Sequence, residues 1–442
     1  MNRVVIRLGM HNQDEVSIGI EEPYAIANQY PGSVTLNVNV PQPARNGTWV
    51  QTIGESVYKR ALASDGVRKA LEDAAANGSS PVYVRLTSSD AADEVQWETL
   101  FHPQEEFLGL DARWPITRLV GNETLSSDDG VAGEDIPFAG ALRITAVLAA
   151  RDRDAFPEWL ALYSELQNFG RRYRLHVITC QSDISDEIDA LGQPFITCEY
   201  VPRNTTDLIR AINLSSPHLL HMFSHGSAGH GAGNLEIATV QGYKHKTPDG
   251  LISLEAKELA NATRDCWLVV LNACEGADPG ADARSFAYTL VALGTPAVVG
   301  MREKIDANDA HTFCRAIFHE VFHHIQHQLP VGIPSELDWP DVVRVARRQL
   351  IQGPHIDAAT VGEWTLPALY LRPRTLRIAR AEASLDPAAQ VIDDGQLSNL
   401  TSQVRTLREV LDDSPEDTPA NIIEGIKNRI QYLMAEIAKG AV

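Results

Sequence analysis

Cysteine is scarce in this chain. Five occur in 442 residues, Cys180, Cys198, Cys266, Cys274 and Cys314, and no two form a C-x-x-C pair. That excludes a disulfide framework and a cysteine-built zinc knuckle, and it leaves room for one thiol to do chemistry. Long apolar runs are also missing; none reaches the roughly 18 residues a bilayer span needs. The opening "MNRVVIRLGMHNQDE" is too charged, and its apolar stretch too short, for a secretory leader, so a cytoplasmic protein is expected. Basic clusters are absent. With 38 Lys and Arg against 58 Asp and Glu, the net charge of −20 argues against direct nucleic-acid binding and fits an acidic solvated surface. No membrane partner is expected, and no internal repeat of 20–50 residues is evident.

What is present is an ordinary globular composition, 44% hydrophobic and 22% charged. The length exceeds one ordinary core, so two or three domains are expected. Residues 1–125 read as a mixed α/β unit. "RVVIRLGM", "SVTLNVNV" and "PVYVRLTS" have strand alternation, and "GESVYKRALASDGVRKALEDAAANG" has helical spacing ending at Asn77-Gly78. The acidic stretch "NETLSSDDGVAGEDIPFAG" reads as a linker or exposed loop. Residues 140–378 alternate strand and helix: "LRITAVLAA", "AFPEWLALYSELQNFGRR", "YRLHVITC", "TTDLIRAINLSS", "HLLHMFSHG", "SLEAKELANATRD", "CWLVVLNAC", "ARSFAYTLVALG", "TPAVVGM" and two further helices. That order predicts a mostly parallel sheet flanked by helices. Residues 390–442 carry two apolar stripes, Leu397 to Leu411 and Ile422 to Ile437, around "DDSPEDTPAN". They predict a C-terminal helical hairpin, either docked on the preceding domain or serving a protein partner.

Two strand ends concentrate the chemistry. "HLLHMFSHGSAGHGAG" is an apolar run that stops at His225-Gly226, and "CWLVVLNACEGADPG" is another that stops at Cys274. They are 49 residues apart, one crossover unit. The carboxyl ends of parallel strands form the reactive edge of an open α/β sheet, and neighbouring strands lie roughly 5 Å apart. An imidazole beside a thiol accepts its proton and later protonates a leaving amine. The N–H groups of Gly226 and Cys274 could serve as oxyanion donors. A lone cysteine after a strand is more often structural; the paired His-Gly is what raises Cys274 above that.

At these residues the sequence resembles the CHAT proteases, caspase-like cysteine peptidases of the same clan as caspases and separase. "HMFSHG", "LVVLNACEGA", "SFAYTLVALGTPAVVGMREKIDANDAHTFCRAIF", "VQWETLFHPQEEFLGLDARWPITR" and "WTLPALYL" carry the likeness, which spans most of residues 1–375. The resemblance implies a caspase-like fold with an inactive caspase-like half in residues 1–125 and a catalytic domain in residues 140–378. It also implies a His225/Cys274 dyad without a cofactor, and a regulated protease of bacterial stress or anti-phage defence with a protein substrate and an activating partner. The family's appended tetratricopeptide repeats are missing here.

The remaining histidines have plainer readings. His218 and His221 are expected as core or strand-face residues, and His230 as solvated. The glycines of 226–233 lack the Lys-Ser/Thr of a phosphate loop. "HEVFH", residues 319–323, has zinc-peptidase spacing but lacks the glycine and third histidine that extend it, so a solvent-facing helix is expected. Acids follow both strand ends: Glu275, Asp278 and Asp282, then Glu303, Asp306 and Asp309. Asp278 and Asp306 are the candidates for pairing with a basic substrate side chain. A non-catalytic scaffold on the same fold is the alternative to an enzyme. Alkylation of Cys274 separates the two, because a scaffold needs no reactive thiol.

Overall fold

The computed structural model describes residues 3–10, 15–37, 45–77, 80–86, 93, 95–104, 106–121, 134–138, 140–227, 234–246, 250–273, 282–303, 305–329, 333–351, 357–374, 376–380, 403, 407 and 420–439. Residues 122–133 of the acidic stretch, His230, Cys274, Glu275, Asp278 and most of the first C-terminal apolar stripe lie outside them; the rest of that stretch is not the expected linker, because Glu134–Phe138 forms a strand paired in parallel with Leu376–Arg380.

The first part contains β1 (Val4–Met10), β2 (Glu15–Glu22), α1 (Tyr24–Gln29), β3 (Val34–Asn37), α2 (Trp49–Ala61), α3 (Asp65–Asn77) and β4 (Val82–Leu86). The single helix expected from Gly54 to Asn77 is two. The chain leaves the helix at Leu62, and the Ser64 hydroxyl caps the next one by accepting the Val67 N–H. A short hairpin, β5 (Phe101–His102) and β6 (Glu106–Phe107), precedes β7 (Ile116–Val120) and β8 (Glu134–Phe138).

The alternating series follows as read: β9 (Leu142–Leu148), α4 (Phe156–Gln167), β10 (Tyr173–Thr179), α5 (Ser182–Leu191), β11 (Ile196–Tyr200), α6 (Thr205–Ser215) and β12 (Leu219–Ser227). Next come β13 (Asn234–Ala238), α7 (Val240–His245), β14 (Leu251–Glu255), α8 (Ala256–Thr263), β15 (Leu268–Ala273), α9 (Asp282–Ala292), β16 (Ala297–Met301) and α10 (Ala307–His327). The series closes with β17 (Ser335–Glu336), α11 (Trp339–Gln349), β18 (Pro367–Leu371) and β19 (Leu376–Arg380), and α12 (Ala420–Lys439) lies further on.

The fold is α/β. One sheet runs β11-β10-β9-β12-β15-β16-β18-β7-β4-β1-β2-β3. The strands from β11 to β16 are all parallel. β18 is antiparallel to β16 but parallel to β7, and β7, β4 and β1 follow it in parallel. β18 is therefore the seam where the sheet reverses, joining the N-terminal strands to the later series. Near-continuous apolar strands agree with helices on both faces; Val269, Val298 and Val299, for example, have no exposed surface.

Buried charge crosses that seam. Arg118 on β7 makes a two-pronged contact with Glu98, 3.0 and 2.8 Å, and also binds Asp93, whose carboxylate accepts from the Tyr370 hydroxyl of β18. Arg302, one residue past β16, reaches Glu98 at 3.3 Å. Burial pushes the Glu98 carboxyl up, but Arg118, Arg302 and Arg347 outweigh it and hold the pKa down at about 2.

α12 packs on α6. Ile430 and Leu433 are buried against Leu214, Ile426 and Leu407, and Lys427 lies 3.6 Å from Asp207. No helix among the described residues is long and apolar enough to cross a membrane.

Candidate active site

Three adjacent parallel strands end at one edge. Phe223 of β12 is level with Leu148 of β9, and Ser224 is level with Ala273 of β15. The residues next in line are His225 and Cys274. The second lies outside the described residues, as does Asp278. β12 does not stop at His-Gly, as its sequence suggests. It leaves the parallel sheet after Ser224 and continues antiparallel to β13, with His225 opposite Glu236 and Gly226 opposite Leu235. His225 thus sits at a branch, held by backbone pairing on both sides of the bend and only 4% exposed.

A third residue meets it that the sequence did not reveal. Nε2 of His225 lies 2.5 Å from Oδ1 of Asp152, in the turn that follows β9. Asp152 is half exposed and His225 buried, so the carboxylate reaches the imidazole from the solvent side. "ARDRD" has no periodicity and no motif, so only the adjacency of β9 and β12 could have singled Asp152 out.

Asp306 is exposed and caps α10, accepting the Asn308 N–H at 2.9 Å. Asp309 follows in the first turn, and burial together with Glu363 and Asp306 pushes its carboxyl pKa up. Glu303 is engaged by Arg45 and by Gln96 at 3.4 Å. All three residues follow β16, next to β15.

Beneath the strand ends lies a closed polar cluster. Glu158, in the first turn of α4, is fully buried. Its Oε1 accepts from His221 Nε2 at 2.8 Å and from Asn272 Nδ2 at 2.7 Å, while Oε2 meets His311 Nδ1 at 2.6 Å. Asn272 also donates to the Ala310 carbonyl at 2.8 Å. Burial alone would raise the Glu158 pKa; the bonds from His221 and His311 reverse that and hold it at about 2. Burial, with Glu158 beside it, pushes the Cys314 thiol well up.

Glu158, His221 and Cys314 offer ligand atoms within 4.8 Å of one another, the one such group among the described residues. Tetrahedral zinc with bonds near 2.0–2.2 Å would set its nitrogen and oxygen ligands about 3.3 Å apart. His221 and Glu158 are already at 2.8 Å, a hydrogen-bond separation. The cluster is therefore better described as a hydrogen-bonded hub than as a metal centre.

The other histidines follow their plainer readings. His218 is buried, accepts the Arg143 N–H at Nδ1, and stacks on Trp267 with centroids 4.3 Å apart. Burial lowers its pKa to about 3. In "HEVFH", His319 pairs with Glu165 and His323 faces solvent beside His327. The helix buries its opposite face, including Phe318 and Phe322.

The sheet is mostly parallel, with His225 buried where β12 leaves it. A family model described as CHAT domain matches residues 60–372, well over half the chain, and the chain belongs to the CHAT domain family. Two solved structures of the Saccharomyces cerevisiae separase–securin complex are similar, at 11% and 12% identity with TM-scores of 0.35 and 0.36. Each covers 82% of this chain, which spans about a fifth of their length (21% and 20%). No curated protein matches.

Proposed function

We propose that the chain is a cysteine endopeptidase with Cys274 as nucleophile and His225 as general base and acid. The observation that carries this reading is the pairing of Ser224 with Ala273, which brings the residues before the proposed dyad level on adjacent strands. His225 takes the thiol proton, and the thiolate attacks the scissile carbonyl carbon. The N–H groups of Gly226 and Cys274 are the proposed donors to the developing oxyanion. As the C–N bond breaks, the imidazolium gives its proton to the departing amine. Water, deprotonated by His225, then attacks the thioester and releases the acid with the thiol restored. Asp152, 2.5 Å from the imidazole, is proposed as the residue that orients it. No cofactor takes part.

Asp278 and Asp306 are proposed to favour a basic residue before the cut bond. The setting we propose is the cytoplasm of a bacterium, in stress or anti-phage defence, with a protein substrate and an activating protein engaging the C-terminal helices. Residues 1–125 would act as an inactive half, residues 140–378 as the catalytic domain and residues 390–442 as the regulatory hairpin. Mapping new N-termini in a bacterial lysate treated with wild type or Cys274→Ala tests the reading. Termini made by the wild type alone support it; identical maps, with an inert Cys274 thiol, point to a scaffold.

A further inference from the structure

The hub under the strand ends has a geometry that ordinary core packing does not need. Strand alternation puts His221, Phe223 and His225 on one face of β12. Phe223 is level with Asn272, so Asn272 of β15 shares that face. One carboxylate, Glu158, bonds to both strands: to His221, four residues before His225, and to Asn272, two residues before Cys274. Its other oxygen and the second Asn272 bond tie in α10 through His311 and the Ala310 carbonyl. Four elements therefore converge on one ionised group with no exposed surface.

Stability alone does not account for such a group. Well-packed apolar side chains commonly match or exceed a buried charge cluster in stability, whereas charged hydrogen bonds fix geometry. Among the described residues, His221 Nδ1 and Asn272 Oδ1 of the hub have no hydrogen-bond partner.

The geometry points to Glu158 as a positioning residue that sets the two strand ends relative to each other, and so the approach of the His225 imidazole to the Cys274 thiol. This rests on the proposed dyad. Glu158 touches neither reacting group; it acts through His221 and Asn272. A strand end displaced by about 1 Å can reduce a rate by roughly a hundredfold, so a small loss of register should be visible.

The test reads the thiol directly and needs no substrate. Full-length protein is treated with iodoacetamide across pH 5–9, and alkylation at Cys274 is followed by peptide mass spectrometry. Wild type is compared with Glu158→Gln, with His311→Ala, which removes one donor at the partly exposed end of the hub, and with Ile53→Ala, a buried change in α2. Circular dichroism and melting establish that each is folded at the assay temperature. The expected result is a fall of about tenfold or more in the Cys274 rate below pH 7 for Glu158→Gln and a smaller fall for His311→Ala. Ile53→Ala should leave the profile unmoved at a comparable loss of melting temperature. If Glu158→Gln does not fold, His311→Ala decides alone. A hub variant that matches wild type, or moves no more than Ile53→Ala, overturns the inference. An inert Cys274 in the wild type overturns the dyad and this inference with it; a reactive wild-type thiol unaffected by the hub overturns only the inference.

Discussion

Nε2 of His225 and Oδ1 of Asp152 lie 2.5 Å apart, joining the end of β12 to the turn after β9. The carboxylate comes from the turn after β9, the strand on the side of β12 away from β15. On the proposed mechanism, this contact orients the imidazole before a substrate arrives. Asp152→Asn should keep the fold, because the side chain is half exposed, and should lower peptide hydrolysis roughly tenfold to a hundredfold. Asp152→Ala should do the same with little change in melting temperature. Steady-state rates beside circular dichroism decide it; unchanged rates would remove Asp152 from the site.

The buried acids predict acid sensitivity with a definite sign. Glu98 and Glu158 have folded-state pKa values depressed from 4.5 to about 2. Their contribution to stability is present above pH 4.5 and is lost as pH falls toward 2, because the unfolded chain takes up protons first. His218, lowered from 6.5 to about 3, acts in the same direction over a higher window. Urea unfolding should show stability falling steadily from pH 6.5 to 3. The difference between wild type and Glu158→Gln should narrow below pH 4.5. A flat profile would contradict the assignment of these groups.

Arg118 predicts a mechanical weakness at the seam. Arg118→Met removes the cation from two buried carboxylates, Glu98 and Asp93. Breaking a buried ion pair from one side costs roughly 3–5 kcal/mol, so the midpoint of urea unfolding should drop sharply. Arg118→Met combined with Glu98→Gln should recover part of that loss. A double variant destabilised by the sum of the Arg118→Met and Glu98→Gln effects would show that the charges are not coupled.

The C-terminal helix predicts a separable function. α12 rests on α6 through a small satellite cluster apart from the main core. Deleting residues 385–442 should leave Cys274 alkylation near wild type while changing activation by a partner, or assembly. Equal loss of both would tie the hairpin to catalysis itself.

Much of this was legible in the sequence, for reasons specific to each element. The alternating series read correctly because each strand is an apolar run bounded by turn residues, with amphipathic helices between. The strand ends at His225 and Cys274 stood out because a reactive residue type closes each run. The β13–β14 insertion did not, because the strand continues through His225 into new pairing and no local signal marks the bend. Asp152 escaped because a loop carboxylate has no pattern. Glu158 looked like an ordinary acid in the first turn of a helix. Its partners lie 63, 114 and 153 residues away, and only the sheet order brings them together.

The central claim is that Cys274 is a nucleophile activated by His225. The most direct measurement is the pH dependence of Cys274 alkylation in wild type and His225→Ala, resolved by peptide from the other four cysteines. Cys180, Cys266 and Cys314 are buried with raised pKa values and should react slowly. The account predicts a Cys274 thiol that reacts below pH 7 in the wild type, with its profile moved toward that of an ordinary thiol, near pH 8.5, in His225→Ala. Superimposable profiles, or a Cys274 as slow as the buried cysteines, would contradict it.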